Sequence, residues 1–293
     1  MAIDAGALAA RISAECGLEF TGRSHTGERG QTFQLQPAHH PPAHTFTFNI
    51  EVGWRSVDMD FRPGNFSSDL LSAMGNADLG ARYGFVSVLQ SSLDEGAEIT
   101  LILNNAGHAF HDPAIWTVPW QRLALSVRKG MLPLNDGDPA ADAELVGAWI
   151  SRLSAAVFAL LPLESDEVLD QINLTEIAAG LPEGAKLAVE VNRYERDRRN
   201  RAAALAIHGH SCKACDLNMG RHYGEPAAGL IEVHHTTPVS QLGPNYIVDP
   251  RTDLVPLCPN CHAVAHRRFP PYSVKELRDL LHQGRAISAI SLV

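Results

Sequence analysis

Long apolar runs are missing from this sequence. The longest, from Leu145 to Leu163, is broken by Arg152 and two serines. A bilayer-spanning helix needs about 20 nearly unbroken apolar residues, so this run is expected to be a packed helix. The opening stretch, Met1 to Phe20, carries Asp4, Arg11, Glu15 and Cys16 where a secretory signal would be apolar. The expectation is a cytoplasmic protein with no membrane contact. Internal repeats and low-complexity tracts are absent too, which removes solenoids and disordered linkers as readings. Positive charge is scarce over the first two thirds: residues 1–189 hold 11 Lys+Arg against 23 Asp+Glu, whereas residues 190–293 hold 13 against 10. The net charge of −9 hides this asymmetry. An acidic N-terminal part cannot bind DNA through bulk electrostatics and would need a local patch or pocket; the plainer use of its acidic surface is solubility.

What is present suits a soluble globular chain. Hydrophobic residues make up 45% and charged residues 19% of 293 residues, enough length and apolar material for two domains of ordinary size. Asp4 caps a first helix whose Leu8, Ile12 and Cys16 recur at helical spacing before Gly17 stops it. Gln31–Gln36 and His44–Phe61 read as strands, the second alternating through Phe46, Phe48, Ile50, Val52, Val57, Met59 and Phe61. Ser67–Gly75 and Leu79–Leu93 read as helices, Glu98–Leu103 as a strand ending in the turn Asn104-Asn105-Ala106-Gly107, and Ala143–Leu161 as an amphipathic helix. The fold class is therefore α+β. The domains are expected at 1–170, choosing a target or binding a partner, and at 171–293, carrying the chemistry. The boundary falls somewhere in Pro162–Gly184.

Two histidine or cysteine features of the N-terminal part read as structural. Cys16 lies on the apolar face of the first helix with no base or second ligand nearby in sequence, so it reads as a core thiol. His39-His40, flanked by prolines and without matched partners, reads as an exposed loop.

The chemistry-bearing residues all lie after position 190. Four of the five cysteines form two Cys-x-x-Cys pairs, Cys212/Cys215 and Cys258/Cys261. A two-residue spacer turns both thiolates of a pair onto one ion, and two such knuckles complete a closed tetrahedral site. Disulfides and thioredoxin-like redox chemistry are the alternatives; the intracellular reading and the lack of a βαβ context favour structural Zn²⁺. A separate histidine set follows. His262 and His266, four apart, share one helix face. His234-His235 reads as a strand end, where neighbours face opposite ways. One of that pair can join His262 and His266 on a divalent ion while the other stays free as a base. A second structural zinc site is the alternative, but it needs a fourth protein ligand.

The runs Tyr194–Arg201, His208–Cys215, Tyr223-Gly224, Ile231-Glu-Val-His-His235 and Asp253-Leu-Val-Pro-Leu-Cys-Pro-Asn-Cys-His262 together resemble HNH-family restriction-type endonucleases, and specifically the branch that includes nucleases directed at modified DNA. The resemblance covers about a hundred residues and implies a ββα-metal finger: a two-stranded ribbon, a loop and a helix around one divalent ion. By motif, His235 matches the general base, His234, His262 and His266 match the metal-binding positions, and Asp253 stands where the family usually has Asn. In the family that position braces the loop and orients the base; an Asp there can accept the ring N–H of His235 or move towards the metal. Asn245 and Asn260 are the nearby substitutes, Asn260 reading as a turn residue.

The resemblance implies phosphodiester hydrolysis on DNA in restriction or anti-phage defence, with Mg²⁺ or another divalent ion for catalysis and Zn²⁺ for structure. A double-strand break would need two centres, hence a possible homodimer. A non-catalytic zinc-stapled nucleic-acid-binding module, or an effector directed by a defence-system partner protein, are the competing readings. Arg193, Arg196, Arg198, Arg199 and Arg201 read as a mainly solvated face, of which Arg196 and Arg199 are candidate phosphate contacts. Arg267 and Arg268, directly after His266, join them as candidate DNA contacts.

Overall fold

The computed structural model describes residues 3–27, 30–162, 198–237 and 246–290. The expected boundary at 170/171, Arg196 and Asn245 lie outside them.

Seven strands form one antiparallel sheet in the order β1-β2-β3-β4-β7-β5-β6: β1 Phe20–Gly27, β2 Gly30–Pro37, β3 Phe46–Val52, β4 Val57–Pro63, β5 Glu98–Leu103, β6 Ala106–His108 and β7 Leu123–Lys129. The His44–Phe61 stretch, read from sequence as one strand, is two. Gly53, whose N–H donates to Ser56 O at 2.9 Å, folds β3 back on β4 with Phe48 opposite Phe61 and Ile50 opposite Met59. The alternation survives the turn, so every aromatic and aliphatic side chain of both strands still faces one side. The strands β1 and β7 were not anticipated, nor was β6, whose Ala106-Gly107 was read as part of the turn.

That side carries the helices α1 Ala5–Cys16, α2 Ser68–Gly75, α3 Leu79–Asp94 and α4 Pro139–Leu160. Asp4 caps α1 by accepting the Ala7 N–H at 2.9 Å, and Gly17 closes it at φ 71, a conformation that favours glycine. Gly22 is needed for another reason: a Cβ there would lie 2.2 Å from Ala5 O, so β1 can approach α1 this closely only without a side chain. Asn104 and Asn105, both at positive φ, make the β5–β6 hairpin turn read from sequence. Helix α4 begins at Pro139, four residues earlier than expected, because Asp138 caps it. It is long and apolar enough to cross a membrane, but 78% of its most apolar window is buried inside the protein. Its Phe158 packs on Phe20 and Phe48, with Phe46 and Phe61 completing an aromatic cluster at centroid distances of 5.3–6.3 Å.

The C-terminal part contains α5 Arg198–His208, α6 Met219–Tyr223, the ribbon β8 Glu232–His235 with β9 Leu254–Leu257, α7 Pro259–Ala265 and α8 Val274–Ile290. Helix α5 serves two cores at once. Ala202, Ala203 and Ala206 enter the large core of sheet and helices, while Ala204 and Leu205 enter a small one with Ile231, Val233, Leu254, Leu257 and Leu277. Small side chains all round the helix let both sides close on it.

Polar contacts fasten the same junction. Glu15, nearly buried on α1, accepts from Arg11 Nε at 3.0 Å and Ser151 Oγ at 2.9 Å and pairs with His210 Nε2 at 3.1 Å. Burial alone would raise the Glu15 pKa; the His210 hydrogen bond and the Arg11 charge outweigh it, and the carboxyl sits below its ordinary value.

Candidate functional site

The ribbon and the short helix after it set the site. Cys258 caps α7, Pro259 occupies its first turn, and the helix then carries Cys261 and His262 side by side. Consecutive helix residues point about 100° apart. One face of α7 therefore turns Cys258 and Cys261 into the small core, and the next turns His262 towards the ribbon. One turn further on, His266 lies above His262, their Nε2 atoms 3.2 Å apart.

On the ribbon, β8 alternates. His234, opposite Val255, faces α7; its ring lies 5.3 Å from that of His262 and 4.9 Å from that of His266. One donor atom from each of His234, His262 and His266 lies within 4.8 Å of the others. His235, opposite Leu254, is equally buried but is not in that cluster. The strand thus separates the two neighbours, one towards the other imidazoles and one away.

The four thiols form the second cluster, again with all sulfurs within 4.8 Å. Cys215 and Cys258 are 3.7 Å apart, and none of the four is in a disulfide. The first knuckle is tied to the ribbon by Lys213 N–H donating to Pro256 O at 2.9 Å, and its turn closes at Asp216, φ 61, through a bond from Asp216 N–H to Cys212 O. Burial would raise the Cys212 pKa, but the N–H groups of Cys258, Cys215 and Ala214 aimed at its sulfur lower it. Burial and the neighbouring thiols push Cys215 up to about 11 and Cys261 higher still. Four sulfurs packed this closely deprotonate together only around a cation, so the donor set fits Zn²⁺. Among the described residues no fourth side chain joins the imidazole cluster, and three neutral imidazoles fit a divalent ion with open positions.

Glu232 belongs to the site and was not read from the sequence. It lies two residues before His234, hence on the same strand face, and its Oε2 contacts Nδ1 of His262. A carboxylate on Nδ1 favours the proton there and turns the lone pair of Nε2 towards His266.

The structure places the remaining expected residues unevenly. Asp253 accepts from the Tyr246 hydroxyl and the Asp249 N–H, both at 2.8 Å, and from the Thr252 hydroxyl at 3.3 Å. Its carboxylate braces the loop, and Asp253 O accepts from the N–H of Thr236, the residue after His235, at 2.8 Å. Asn260 is an exposed residue of α7. Arg199 donates to Leu161 O at 2.9 Å and lies 3.6 Å from Asp78, so its guanidinium joins α5 to the sheet region. Arg201, expected in part on a solvated face, is inserted between elements and donates to Ile231 O and Gly229 O. Arg268 pairs with Glu276 and stacks on Tyr272 at 4.0 Å, while Arg267 is exposed beside His266. Cys16 is a buried thiol whose pKa burial pushes up to about 12, and His39 is exposed, as the sequence suggested for both; the pairing of His39 with Glu19 was not anticipated.

Comparison with known proteins adds one relative. The chain is 31% identical over 143 residues to the type IV methyl-directed restriction enzyme EcoKMcrA of Escherichia coli (strain K12). The match covers 46% of this chain and 48% of the relative, so the chain spans about half the length of the curated relative it matches. No family model and no solved structure matches.

Proposed function

We propose that this protein is a divalent-metal-dependent DNA endonuclease of the HNH type, acting in restriction and directed at modified DNA. The observation that carries the proposal is the three-imidazole cluster of His234, His262 and His266 with the buried His235 beside it on the same short strand. A pure binding module has no use for a fourth imidazole next to an open metal site. The relative's name, a methyl-directed restriction enzyme, supports the same class.

In this reading Cys212, Cys215, Cys258 and Cys261 hold Zn²⁺ and staple the small core. His234, His262 and His266 hold the catalytic ion, which supplies charge stabilisation at phosphorus and at the leaving oxygen when bound. His235 takes a proton from the attacking water as its oxygen bonds to phosphorus and the bond to the 3′ oxygen breaks. Glu232 holds His262 in the required tautomer, and Asp253 braces the loop that carries Thr236. Arg267, exposed beside His266, is the arginine proposed to meet a phosphate; Arg199 is engaged within the fold. The acidic balance of residues 1–189 favours a variant of the proposal in which a partner protein, rather than the N-terminal surface itself, brings the enzyme to its target.

The test is cleavage of supercoiled plasmid carrying unmodified, methylated or hydroxymethylated cytosine, with Mg²⁺ or Mn²⁺ and without. The expected result is ion-dependent nicking, strongest on modified DNA. No cleavage of any of the three by protein holding both zinc and a divalent ion would leave the binding-module reading in its place. Cleavage blind to modification would favour direction by a partner.

A further inference from the structure

The loop before β9 is held from both ends. At one end it rests on the N-terminal region: Arg251 Nη2 donates to Asp94 Oδ2 at 2.6 Å, and the buried Ser87 Oγ lies 3.5 Å from Asp249 Oδ1, both partners on α3. Burial and the nearby Asp249 carboxylate raise the pKa of Tyr83 on the same helix. Helix α5 adds His208, whose Nε2 lies 3.0 Å from Pro250 O. At the other end the loop meets the strand that carries His235, through Thr236 N–H to Asp253 O at 2.8 Å and Thr236 Oγ1 to Thr252 O at 3.1 Å.

Between the ends lies a tight turn that transmits position. Asp249 accepts from Arg251 N–H at 3.0 Å and from the Thr252 hydroxyl at 3.2 Å, and its own N–H donates to Asp253 Oδ2. Asp249 O accepts from the N–H groups of both Thr252 and Asp253. A turn with this many internal bonds moves as one piece. The ribbon it feeds is only four residues per strand, and His235 sits at the end nearest the turn, opposite Leu254.

We propose that Asp249 and Arg251 are positioning residues, and that α3 holds His235 in place through them. The inference rests on the nuclease reading for its effect on catalysis, but its structural half does not. The N-terminal region then supplies part of the catalytic geometry, in addition to any part in choosing the target. Small displacements of a base from its reaction geometry are costly, with about a hundredfold loss for ~1 Å. One exposed ion pair accounts for only a fraction of that.

The experiment uses the full chain and a charge swap. Asp94→Lys sets two cations against each other; Asp94→Lys with Arg251→Asp restores the pair reversed. For Asp94→Lys the expectation is a kcat for plasmid nicking about fivefold lower, the scale of one exposed pair, with KM and both metal contents unchanged. Hydrogen exchange at the Thr236 amide should speed up in that variant, and the double variant should restore both quantities. Exchange and kcat at wild-type values in Asp94→Lys overturn the proposal, as does a loss that the double variant fails to recover. If the wild-type protein cleaves nothing, the nuclease reading falls, and exchange at Thr236 still decides whether α3 holds this strand.

Discussion

The two regions of this molecule are held together by different means. The sheet region closes a core rich in phenylalanine and tryptophan, with Phe33, Phe48, Phe61, Phe85 and Phe158 fully buried. The small core around the ribbon has 13 buried side chains among the described residues, none of them phenylalanine or tryptophan and three of them cysteines. A core of that kind cannot offset the chain entropy of ordering its loops, and a bound ion can. The large core leaves its polar sheet face and loops free to vary, whereas the small region spends its side chains on two clusters of metal-binding type.

The comparison breaks most sharply at the thiols. Cys258→Ser should abolish zinc binding, unfold the small core and remove all cleavage, while the sheet region keeps its cooperative thermal transition. Differential scanning calorimetry with zinc analysis checks this, and a zinc-free protein with the small core intact would contradict it. His235→Ala should act on chemistry alone. Cleavage should fall by about 10²–10⁴, the usual contribution of a general base, with zinc, the second ion and DNA binding retained. Wild-type cleavage rates in that variant would remove His235 from the role.

How much of this could be read in advance depended on whether the signal was local. The first helix was legible because its cap, its apolar stripe and its stop lie within Asp4–Gly17. The thiol and imidazole clusters were legible because Cys-x-x-Cys and His262/His266 encode their geometry in spacing. Strand β1 was not: it is an edge strand whose inner face includes Gly22, present for the approach of Ala5 and uninformative as a pattern. Strand β7 does alternate, through Leu123, Leu125 and Val127, but three apolar positions after a loop also suit other structures. Glu232 looked like an ordinary strand-edge acid until α7 brought His262 against it. The two-sided burial of α5 was not legible either, because Ala202–Ala206 gives no sign that neighbouring residues enter different cores.

Smaller effects sharpen the picture within the small region. Glu232→Gln should weaken the ion at the imidazole cluster by about 10–100-fold, the usual cost of losing such a partner, and leave the thiol-bound zinc untouched. Isothermal titration with Mn²⁺ measures it; equal affinity would mean that Glu232 does not set the tautomer of His262. The smallest effect is expected at the start of α8. There the Ser273 N–H, the Arg268 charge and the Ser273 hydroxyl hold Glu276 down at about 2. A depressed carboxyl contributes its stability above the unfolded value near 4.5 and loses it as pH falls towards 2. Acid unfolding of Glu276→Gln should therefore lack that part of the wild-type slope between those pH values, while the two proteins respond alike to further rises in pH above 5.

Selective removal of metal separates the role proposed for the thiols from that proposed for the imidazoles. Dialysis against a moderate chelator, followed by metal analysis, circular dichroism and plasmid nicking on one sample, should find one zinc per chain retained, the fold unchanged and cleavage gone. Mg²⁺ or Mn²⁺ added back should restore cleavage. Undiminished nicking by protein stripped to that single zinc would contradict the account, because the imidazole cluster would then have no part in the reaction.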